Sequence, residues 1–570
     1  MTRRLVRASV NLGVLLVVIL TLIFFLDNRY RVLPNSIHSH LPLHHPGLVI
    51  TDLTIKTCNK ANPLSSCRLD PDEWHRIEKD LYLGSSWTKQ AFVHIRSARE
   101  EELGLKDMVV MDVRVGRLDP SVGEKGQENQ KWESRPGGVW IKLSSKRHDS
   151  DSKKAVTAVE VLFGADAADP RPSWELKPPL LLDMSLEAAT PRLTVQRGST
   201  PRTIEKPTPR VRRDGRFKIM QVADIHFSTG MGACRDPEPP EPHGGRCEAD
   251  PRTLEFLGKM LDTEKPDLVI LSGDQVNGET APDAQTAILK FADIFIQRQI
   301  PFATIFGNHD DFEKSSLSRQ AQMSLIHALP FSLSEAGPAT VSGVGNYYVE
   351  VLAPGTSTHS ALTIYLLDSH GHSGNEGYDY IKEDQIKWFK ATSRALKDQH
   401  KKYTHIHLDM AFIHIPLPEY REVGKPVQGS VTAGGDDQNN GQVVFGDWKE
   451  PVMAPNKNTG FRDALLEEGI SVLSVGHDHA NSFCGISSKP NGEEPTSSHD
   501  QRTMSKNMWL CYGGGAGLGG YGGYGGYRRR VRFFELDAND GGISTWSRLE
   551  HGDRGKFEDH VLVEGGQVVV

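Results

Sequence analysis

Apolar and polar positions follow two different patterns along this chain, and one pattern gives way to the other near residue 216. Between residues 48 and 193, short apolar runs such as VVMDVRV and GVWIKL are separated by charged or Gly/Pro-rich loops. That pattern is typical of short β-strands joined by solvent-exposed turns. We therefore predict a β-rich accessory domain over residues 48–193, in which no residue pattern indicates chemistry.

Beyond residue 216, apolar runs of strand type alternate with longer amphipathic runs. RFKIMQVADIH, PDLVILSGD and PFATIFGNHD predict strands, and the intervening PRTLEFLGKMLDTEKP and AQTAILKFADIFIQRQ predict helices. Later, IHLDMAFIH and SVLSVGHDH predict strands on either side of a helix in FRDALLEEG. Alternation of strand and helix indicates an α/β layer. We predict one α/β domain over residues 216–570, preceded by a Pro/Arg-rich linker at 194–215.

The N-terminal residues form a long apolar segment. No charge occurs over the 19 residues from Ala8 to Leu26, and about 17–25 such residues span a bilayer. A signal peptide has a similar apolar run, but no small-residue cleavage site follows here. We predict an uncleaved single-pass anchor in residues 1–26, a solvated stalk at 27–47, and a location in an endomembrane or vacuolar membrane.

The cysteines indicate the redox compartment in which the protein is expected. Six cysteines form three neighbouring pairs along the chain: Cys58 and Cys67, Cys234 and Cys247, and Cys484 and Cys511. Pairing in that order would suit an oxidising lumen. However, no N-x-[ST] sequon occurs, which is unusual for a long lumenal domain, so the side of the membrane stays open.

The net charge of −7 argues against a general nucleic-acid binder, and no nucleic-acid partner is expected.

Metal-ligand residue types stand at the ends of five predicted strands. In chain order they are Asp224-Ile225-His226, Gly273-Asp274, Gly307-Asn308-His309-Asp310, His414 and Gly476-His477-Asp478-His479. In open α/β sheets, ligand sites lie beyond the carboxyl ends of the strands, where loops distant in sequence converge. Oxygen and imidazole ligands without thiolates suit Mn, Fe or Zn. Each motif alone is a common turn, but all five in this order, each after an apolar run, predict a metal site.

This set of motifs resembles that of the calcineurin-like metallophosphoesterases, from about Phe217 to His479. The family pattern is DxH, GD, GNH[DE], a further His after a strand, and GHxH, and the chain matches it at every position. The resemblance implies an α/β fold in which a double β-sheet sandwich is flanked by helices, with the site at the strand ends. It implies two metal ions, held by two sets of residues: Asp224, His226 and His479 for the first, and Asn308, His414 and His477 for the second.

The same resemblance implies roles for three more residues. Asp274 would bridge the two ions, and His309 would face the phosphate as a proton donor or charge stabiliser, oriented by Asp310. Two such ions clamp the attacking and leaving oxygens and lower the pKa of water toward about 7. We therefore expect two divalent or trivalent ions (Mn, Fe or Zn) and hydrolysis of phosphomonoesters by a metal-activated hydroxide. The expected partner is a phosphorylated substrate, in particular a phosphoprotein.

Further segments of the sequence resemble one branch of this family in particular. SLSRQAQMSLI, LLDSHGHS, YDYIKEDQIKWF, FIHIPLPEY and WLCYGGGAGLGGYGGYGGYRRR resemble fungal phosphatases of the dosage-dependent cell-cycle regulator type and the plant purple acid phosphatases nearest them. True purple enzymes ligate iron with a tyrosine three residues after the bridging aspartate, where this chain has Asn277. We therefore expect no purple colour. Two alternatives stay open: a phosphodiesterase or nuclease on the same scaffold, and a non-catalytic membrane-anchored scaffold.

Weaker patterns concern the surroundings of the predicted site. The tract CYGGGAGLGGYGGYGGYRRR follows the strand-like MWLCY and is interpreted either as an ordered loop near the site or as low-complexity disorder. Tyr378, Tyr380 and Trp388 are predicted to lie on a helix and to serve packing. His370 and His372 stand near a strand end and could approach the site.

Overall fold

The computed structural model describes most of the chain beyond residue 46. The described residues are 13–15, 47–62, 65–104, 107–122, 130–145, 154–184, 189–198, 204, 206–240, 246–312, 317–374, 377–401, 406–423, 444–488, 507–522, 527–552 and 555–570. Apart from residues 13–15 and 47, the predicted anchor at 1–26 and stalk at 27–47 therefore lie outside the described residues. Within the described ranges, every helix is too short or too polar to cross a bilayer.

The chain divides into two compact units. The first comprises Met1–Val161 and Pro172–Pro201, and the second comprises Leu162–Arg171 and Arg202–Val570. Leu162–Arg171 belongs with the second unit because its polar groups bond there: Asp166 Oδ2 lies 2.7 Å from Lys290 Nζ. The predicted bounds of the accessory domain and the linker stay predictions.

In its described part, the first unit is built from three three-stranded sheets. The strands are Leu48–Asn59 (β1), His75–Arg76 (β2), Lys89–Arg99 (β3), Val109–Val115 (β4), Gln130–Arg135 (β5), Val139–Ser144 (β6), Val156–Phe163 (β7), Trp174–Pro179 (β8) and Pro191–Arg197 (β9). Their order in the sheets is β1–β3–β2, β4–β6–β5 and β7–β9–β8. Apolar residues such as Val139, Ile141 and Leu143 in β6 are buried at every second position, as a strand with one buried face requires. The β-rich character predicted for this region is confirmed.

The second unit contains two seven-stranded mixed sheets, ordered β12–β11–β10–β20–β21–β22–β23 and β13–β14–β15–β17–β19–β18–β16. The strands of the first of these sheets are Arg216–Val222 (β10), Leu268–Ser272 (β11), Phe302–Ile305 (β12), Arg530–Asp537 (β20), Gly542–Leu549 (β21), Phe557–Glu564 (β22) and Gln567–Val568 (β23). Those of the second are Tyr347–Leu352 (β13), Ser360–Leu366 (β14), Leu408–Phe412 (β15), Val444–Phe445 (β16), Val472–Val475 (β17), Cys484–Ser488 (β18) and Asn507–Tyr512 (β19). β10, β11 and β12 are parallel, as are β14, β15, β17 and β19.

Helices flank both sheets of the second unit. They are Ala249–Glu264 (α1), Ala284–Gln297 (α2), Arg319–His327 (α3), Glu383–His400 (α4), Tyr420–Val423 (α5) and Phe461–Glu467 (α6). Of the helices predicted from the sequence, three correspond to α1, α2 and α6 and are confirmed, and Trp388 lies on α4 as predicted. Tyr378 and Tyr380 precede α4, so their prediction as helical was wrong: Gly374 and Gly377, both with positive φ, turn the chain before the helix begins.

The hydrophobic core explains the near-continuous apolar runs of the strands. Phe217 of β10 belongs to one buried cluster with Phe412 of β15 and Trp509 of β19, so residues of both sheets share this core. A second cluster joins strand residues of the β13–β19 sheet to Phe389 of α4 and Phe461 of α6. All five residues of β15 are buried, which fits a strand that is covered on both faces. The predicted pair of mixed sheets flanked by helices is confirmed.

The six cysteines form disulfides in sequence order. The pairs are Cys58–Cys67, Cys234–Cys247 and Cys484–Cys511. Cys484 and Cys511 face each other on the paired strands β18 and β19. Each cysteine is therefore bonded to its neighbouring cysteine along the chain, as the sequence suggested.

Candidate metal centre

Three ligand-type side chains from the ends of β10 and β17 form the first cluster. Asp224 and His226 follow β10, and His479 follows β17. One ligand atom from each lies within 4.8 Å of the others, and all three residues are buried. Nε2 of His226 is 3.1 Å from Nε2 of His479, and the latter is 3.4 Å from Asp224 Oδ1. This is a compact group of one carboxylate and two imidazoles from opposite sheets.

The second cluster has the same composition and comes from the ends of β11 and β15 and, again, of β17. Asp274 follows β11, His414 follows β15 and His477 follows β17, and their ligand atoms also lie within 4.8 Å of one another. His414 Nε2 is 3.2 Å from Asp274 Oδ2. Asn308, which follows β12, places its Oδ1 3.3 Å from the same nitrogen. The amide oxygen is thus a further ligand-type atom of this cluster.

The Asp274 carboxylate faces both clusters. Its Oδ2 is 3.7 Å from His226 Nε2 in the first and 3.2 Å from His414 Nε2 in the second. Its Oδ1 accepts the backbone N–H of His309 at 2.7 Å. The structure therefore brings together all seven residues predicted as ligands, with Asp274 between the two groups.

The loops that carry the ligands adopt an uncommon backbone conformation. Four of the site residues have φ in the left-handed region: Asp224 (57°), His226 (51°), Asp274 (52°) and His477 (74°). Such conformations are unfavourable for non-glycine residues and persist only where surrounding contacts hold them. Here Asp224 and His226 donate backbone N–H bonds of 3.0 Å to the carbonyls of Gly273 and Asp274, respectively. The first two motifs thus hold each other in place.

Glycine is required within two of the motifs by close approach. A Cβ at Gly273 would lie 2.1 Å from His414 Nδ1, and one at Gly307 would lie 2.2 Å from Asp274 Oδ1. Neither separation is compatible with non-bonded atoms. Gly273 and Gly307 therefore allow the ligand side chains to approach the adjacent loops.

Backbone carbonyls orient two of the histidines. His414 Nδ1 lies 2.9 Å from the carbonyl oxygen of Ser272, and His479 Nδ1 lies 2.7 Å from that of Tyr521. A carbonyl can only accept, so the neutral rings carry their proton on Nδ1. The Nε2 lone pairs then point into the clusters, which is the arrangement that metal-ligating histidines use.

The charges of the site fit bound cations. In the described part of the chain, the buried Asp224 and Asp274 have ion-pair partners only among histidines, and buried carboxylates require a compensating charge. Burial lowers the pKa of His226 and of His477 well below the usual value. Burial also acts to lower the pKa of His414, but the adjacent Asp274 outweighs it and raises that pKa to about 9. Imidazole nitrogens and oxygen donors around buried negative charge suit Mn, Fe or Zn.

His309 and Asp310 lie beside the clusters in different roles from each other. The His309 ring is 5.0 Å from that of His226, and its buried Nδ1 has no hydrogen-bond partner among the described residues. The Asp310 carboxylate accepts backbone N–H groups of Asp274 (2.9 Å), Val276 (2.8 Å) and Gly307 (2.7 Å). In the structure it does not hydrogen-bond the His309 imidazole, so the expectation that it orients that ring is corrected: three buried backbone donors occupy its two oxygens.

The glycine-rich tract packs on the first cluster. A Cβ at Gly520 would lie 2.5 Å from His479 Cε1 and 2.6 Å from His226 Cδ2. The ring of Tyr521 stacks on that of His479, with centroids 4.0 Å apart. Of the two interpretations of this tract, the ordered loop near the site is confirmed for its described residues. Only glycine leaves room for both imidazoles at this point.

Two residues near the site were missed or misjudged from the sequence. The Arg319 guanidinium donates to Asp368 Oδ1 and to the Gly307 carbonyl, both at 2.6 Å. The only sequence signal was its place in SLSRQAQMSLI, one of the segments that carry the family resemblance. Tyr378, which we interpreted as packing, has its ring 4.4 Å from that of His477. His370 contacts Gln385 instead of the clusters.

The chain is similar to proteins that are named as phosphoesterases or phosphatases. The model of the calcineurin-like phosphoesterase family matches residues 217–481. Phosphatase DCR2 of Saccharomyces cerevisiae is 34% identical over 421 residues, which cover 72% of this chain and 67% of that protein. Probable inactive purple acid phosphatase 29 of Arabidopsis thaliana is 32% identical over 386 residues, covering 64% and 90%, respectively. A solved dimetal phosphatase from Danio rerio aligns at 12% identity with a TM-score of 0.38, over 61% of this chain and 99% of that one.

Proposed function

The chain belongs to the calcineurin-like phosphoesterases and is a hydrolase of phosphoester bonds, and from this premise we propose that it is a binuclear metallophosphatase of phosphomonoesters. The observation that carries the proposal is the Asp274 carboxylate, which faces two buried clusters of ligand-type side chains. Two bound ions would supply Lewis acidity toward the phosphate and make water acidic enough to attack at neutral pH.

The protein's own residues would bind and orient the phosphate around those ions. Asp224, His226 and His479 would hold the first ion, and Asn308, His414 and His477 the second. Asp274 would contact both, because its carboxylate faces both groups. His309 is half-buried beside the first cluster, and its backbone N–H is bonded to Asp274. Its ring could therefore donate a proton or a hydrogen bond to a phosphoester oxygen placed next to the ions.

A phosphoprotein is the proposed physiological substrate. Support comes from the sequence resemblance to fungal cell-cycle phosphatases. The printed name of the yeast relative, Phosphatase DCR2, supports phosphatase activity and names no substrate. The net charge of −7 disfavours electrostatic binding to nucleic acid, which supports a monoesterase over a nuclease on the same scaffold. The metals are proposed to be Mn, Fe or Zn, since the donors are nitrogen and oxygen.

The proposal includes a single-pass anchor in residues 1–26 within an endomembrane or vacuolar membrane. The charge-free run from Ala8 to Leu26 supports it, and the three disulfides support an oxidising compartment for the body of the chain. Carbonate extraction of membranes, followed by protease protection of sealed vesicles, tests both points. Release of the full chain by carbonate, or digestion of the body without detergent, would contradict this part of the proposal.

The catalytic proposal is tested on the detergent-solubilised full chain. Metal content is measured by elemental analysis, and hydrolysis of p-nitrophenyl phosphate is compared with that of bis(p-nitrophenyl) phosphate after supplying Mn, Fe or Zn. We expect about two metal ions per chain and a higher kcat/KM for the monoester. A preference for the diester would establish the alternative of a phosphodiesterase, and absence of bound metal would contradict both.

A non-catalytic scaffold is the second candidate function. It is favoured by one observation, the printed name of the plant relative, which describes that protein as probably inactive. The intact set of ligand-type residues in this chain supports catalysis instead. Replacing Asp274 by Asn in cells separates the two: an unchanged phenotype would favour the scaffold, and loss of function would favour the enzyme.

A further inference from the structure

A row of aromatic rings borders the candidate metal centre on the side of His309 and His477. The centroid of Phe312 is 6.0 Å from that of His309 and 6.2 Å from that of His372. The His372 ring is 4.8 Å from Tyr378, which is 4.4 Å from His477. All these separations lie within the range of about 4.5–7 Å, or just below it, in which aromatic rings attract each other. We call Phe312, His372 and Tyr378 the aromatic rim.

The aromatic rim is open to solvent although it begins at buried ligands. His477 is buried, Phe312 and Tyr378 are half-buried, and His372 is exposed. Core aromatic residues would instead be covered on both faces. The exposure therefore increases along the row away from the metal ligands, which is the arrangement of a wall that a bound molecule could contact.

The backbone fixes Phe312 on one side of the site. It lies in the turn after Asn308, and its N–H donates to the His309 carbonyl at 3.4 Å. Gly278 lies against this turn: its N–H donates to the His309 carbonyl at 3.0 Å, and a Cβ there would come within 2.8 Å of Phe312 Cβ. The ring is thus attached to a tightly packed loop.

A short hairpin fixes the other two rings. His372 and Tyr378 form an antiparallel bridge, and the Asp379 N–H donates to the Gly371 carbonyl at 2.8 Å. The position of Gly371 ties the hairpin to the site, because a Cβ there would be 3.6 Å from Asn308 Cα. His372 and Tyr378 therefore stand beside a proposed ligand of the second ion.

Arg319 joins the two sides of the aromatic rim. On the Phe312 side, its guanidinium contacts the Gly307 carbonyl at 2.6 Å and Asp311 Oδ2 at 3.0 Å. On the hairpin side, it contacts Asp368 Oδ1 at 2.6 Å and the His370 carbonyl at 3.3 Å. One largely buried cation, with a side chain 12% exposed, thus holds both loops at a set separation, so the spacing of the rings is built into the fold.

We propose that the aromatic rim is a binding subsite for an aromatic leaving group, so that the enzyme prefers aryl phosphomonoesters, such as a phosphotyrosine side chain, over alkyl ones. This inference rests on the proposed phosphatase function of the same site. In the reaction, water forms the new bond to phosphorus, the bond from phosphorus to the aryl oxygen breaks, and that oxygen leaves as a phenol with one proton. Offset or edge contacts between the leaving ring and the rim would favour binding of the aryl ester.

Binding of phosphonates tests the subsite without hydrolysis. The metal-loaded full chain is titrated calorimetrically with phenylphosphonate and with methylphosphonate, which share the anionic group and differ in the ring. We expect phenylphosphonate to bind about three- to tenfold more tightly, as one or two aromatic contacts predict. Equal affinities would overturn the inference.

Variants locate the effect. Phe312→Leu and Tyr378→Leu should each reduce the ratio of the two affinities by about two- to tenfold, and should reduce kcat/KM for phosphotyrosine more than for phosphoserine. Tyr348→Leu is the matched control, because Tyr348 is a partly exposed tyrosine of β13 outside the rim, and it should leave both ratios unchanged. Phenols are intrinsically better leaving groups than alcohols, and this difference is the same in every variant. It therefore cancels when the ratio of kcat/KM for phosphotyrosine to that for phosphoserine is compared between variants.

Metal content is measured for every variant. Should Tyr378→Leu lose metal through misfolding, His372→Leu provides the second test, because an exposed side chain is replaced without disturbing the fold. If the variants keep their metal and the aryl-to-alkyl ratios stay at the wild-type values, the inference is wrong while the proposed phosphatase function stands. If the wild-type protein hydrolyses no monoester with any of the three metals, the proposed function fails, and the inference fails with it.

Discussion

The backbone N–H of Asp274 donates a hydrogen bond of 2.9 Å to Asp310 Oδ2. The residue that follows His309 in the sequence therefore supports the loop of the proposed bridging ligand. The same oxygen accepts the N–H of Gly307, and the other oxygen accepts that of Val276. Asp310 thus connects the loops after β11 and β12, on which two proposed ligands stand.

Asp310→Asn should weaken both the fold and metal binding. The amide keeps one acceptor oxygen and turns an NH2 group toward a buried backbone donor, which costs about 1–3 kcal/mol when it is left unpaired. Urea unfolding and metal titration measure the two effects. Asp398→Asn, whose side chain is 68% exposed, serves as control and should stay within about 0.5 kcal/mol of wild type. A variant with wild-type stability and metal content would contradict this account.

Asp274→Asn should abolish most turnover and most metal binding. The substitution removes a negative charge from between two clusters, where the proposed ions would share it. Elemental analysis after dialysis measures the metal, and p-nitrophenyl phosphate hydrolysis measures the turnover. Full metal content in this variant would show that the two ions do not depend on a shared carboxylate.

His309→Ala should separate catalysis from metal binding. The ring lies beside the first cluster without being one of the proposed ligands, so we expect a loss of about 10²–10⁴ in kcat, the usual contribution of acid–base catalysis, with about two ions retained. The same two assays apply as for Asp274→Asn. If metal is lost together with activity, His309 is a ligand and the assignment of its role is wrong.

Gly520→Ala should disturb the first cluster selectively. The added Cβ would lie within 2.6 Å of both His226 and His479, so one imidazole must move away from its position. We expect about one metal ion per chain in place of two, measured by elemental analysis. Gly116→Ala introduces the same methyl group where no atom lies within 4 Å and should keep both ions. Equal metal content in the two variants would mean that the glycine-rich tract does not shape the site.

Lys290→Met should destabilise the protein by about 3–5 kcal/mol. Lys290 is 1% exposed and pairs with Asp166 and Asp250 at 2.7 Å each. It also donates to the carbonyls of Ser228 and Gly230 in the loop after His226. Its removal leaves the buried carboxylate of Asp250 and the partly buried one of Asp166 without their cation. Urea unfolding measures the loss, with Lys387→Met, at a site that is 79% exposed, as control. A difference below about 1 kcal/mol between the two would contradict this account.

The iron-loaded protein should lack a visible tyrosinate-to-iron band. Asn277 stands where purple enzymes have their ligand tyrosine. Tyr521 is near the first cluster, but its ring lies parallel to His479, with its Oη accepting the His479 backbone N–H at 3.3 Å. An absorption spectrum after iron loading provides the measurement. A purple band that disappears in Tyr521→Phe would show that this tyrosine ligates the metal.

The sequence by itself predicted the fold class and the residues that converge at the strand ends, and the family resemblance added their assignment as metal ligands. Each proposed ligand directly follows an apolar strand, and a parallel sheet brings the carboxyl ends of its strands to one edge. Strand–helix alternation along residues 217–305 therefore sufficed to predict that Asp224, Asp274 and Asn308 converge. The strand, helix and motif patterns depend on residues that are close together in the sequence. Their periodicity and spacing can therefore be read from the sequence alone.

Only the tertiary structure decided which groups contact each other around the ligands. Three sets of contacts join residues of separate loops: the hydrogen bonds of Asp310, the edge-to-face contact of Tyr378 with His477, and the bonds of Arg319 across two loops. Tyr378 illustrates the limit: we predicted it to lie on a helix with Tyr380 and Trp388, whereas the structure places it before the helix, in contact with His477 of the second cluster. Such contacts depend on how the loops of two sheets meet, and no local pattern of apolar and polar residues encodes that arrangement.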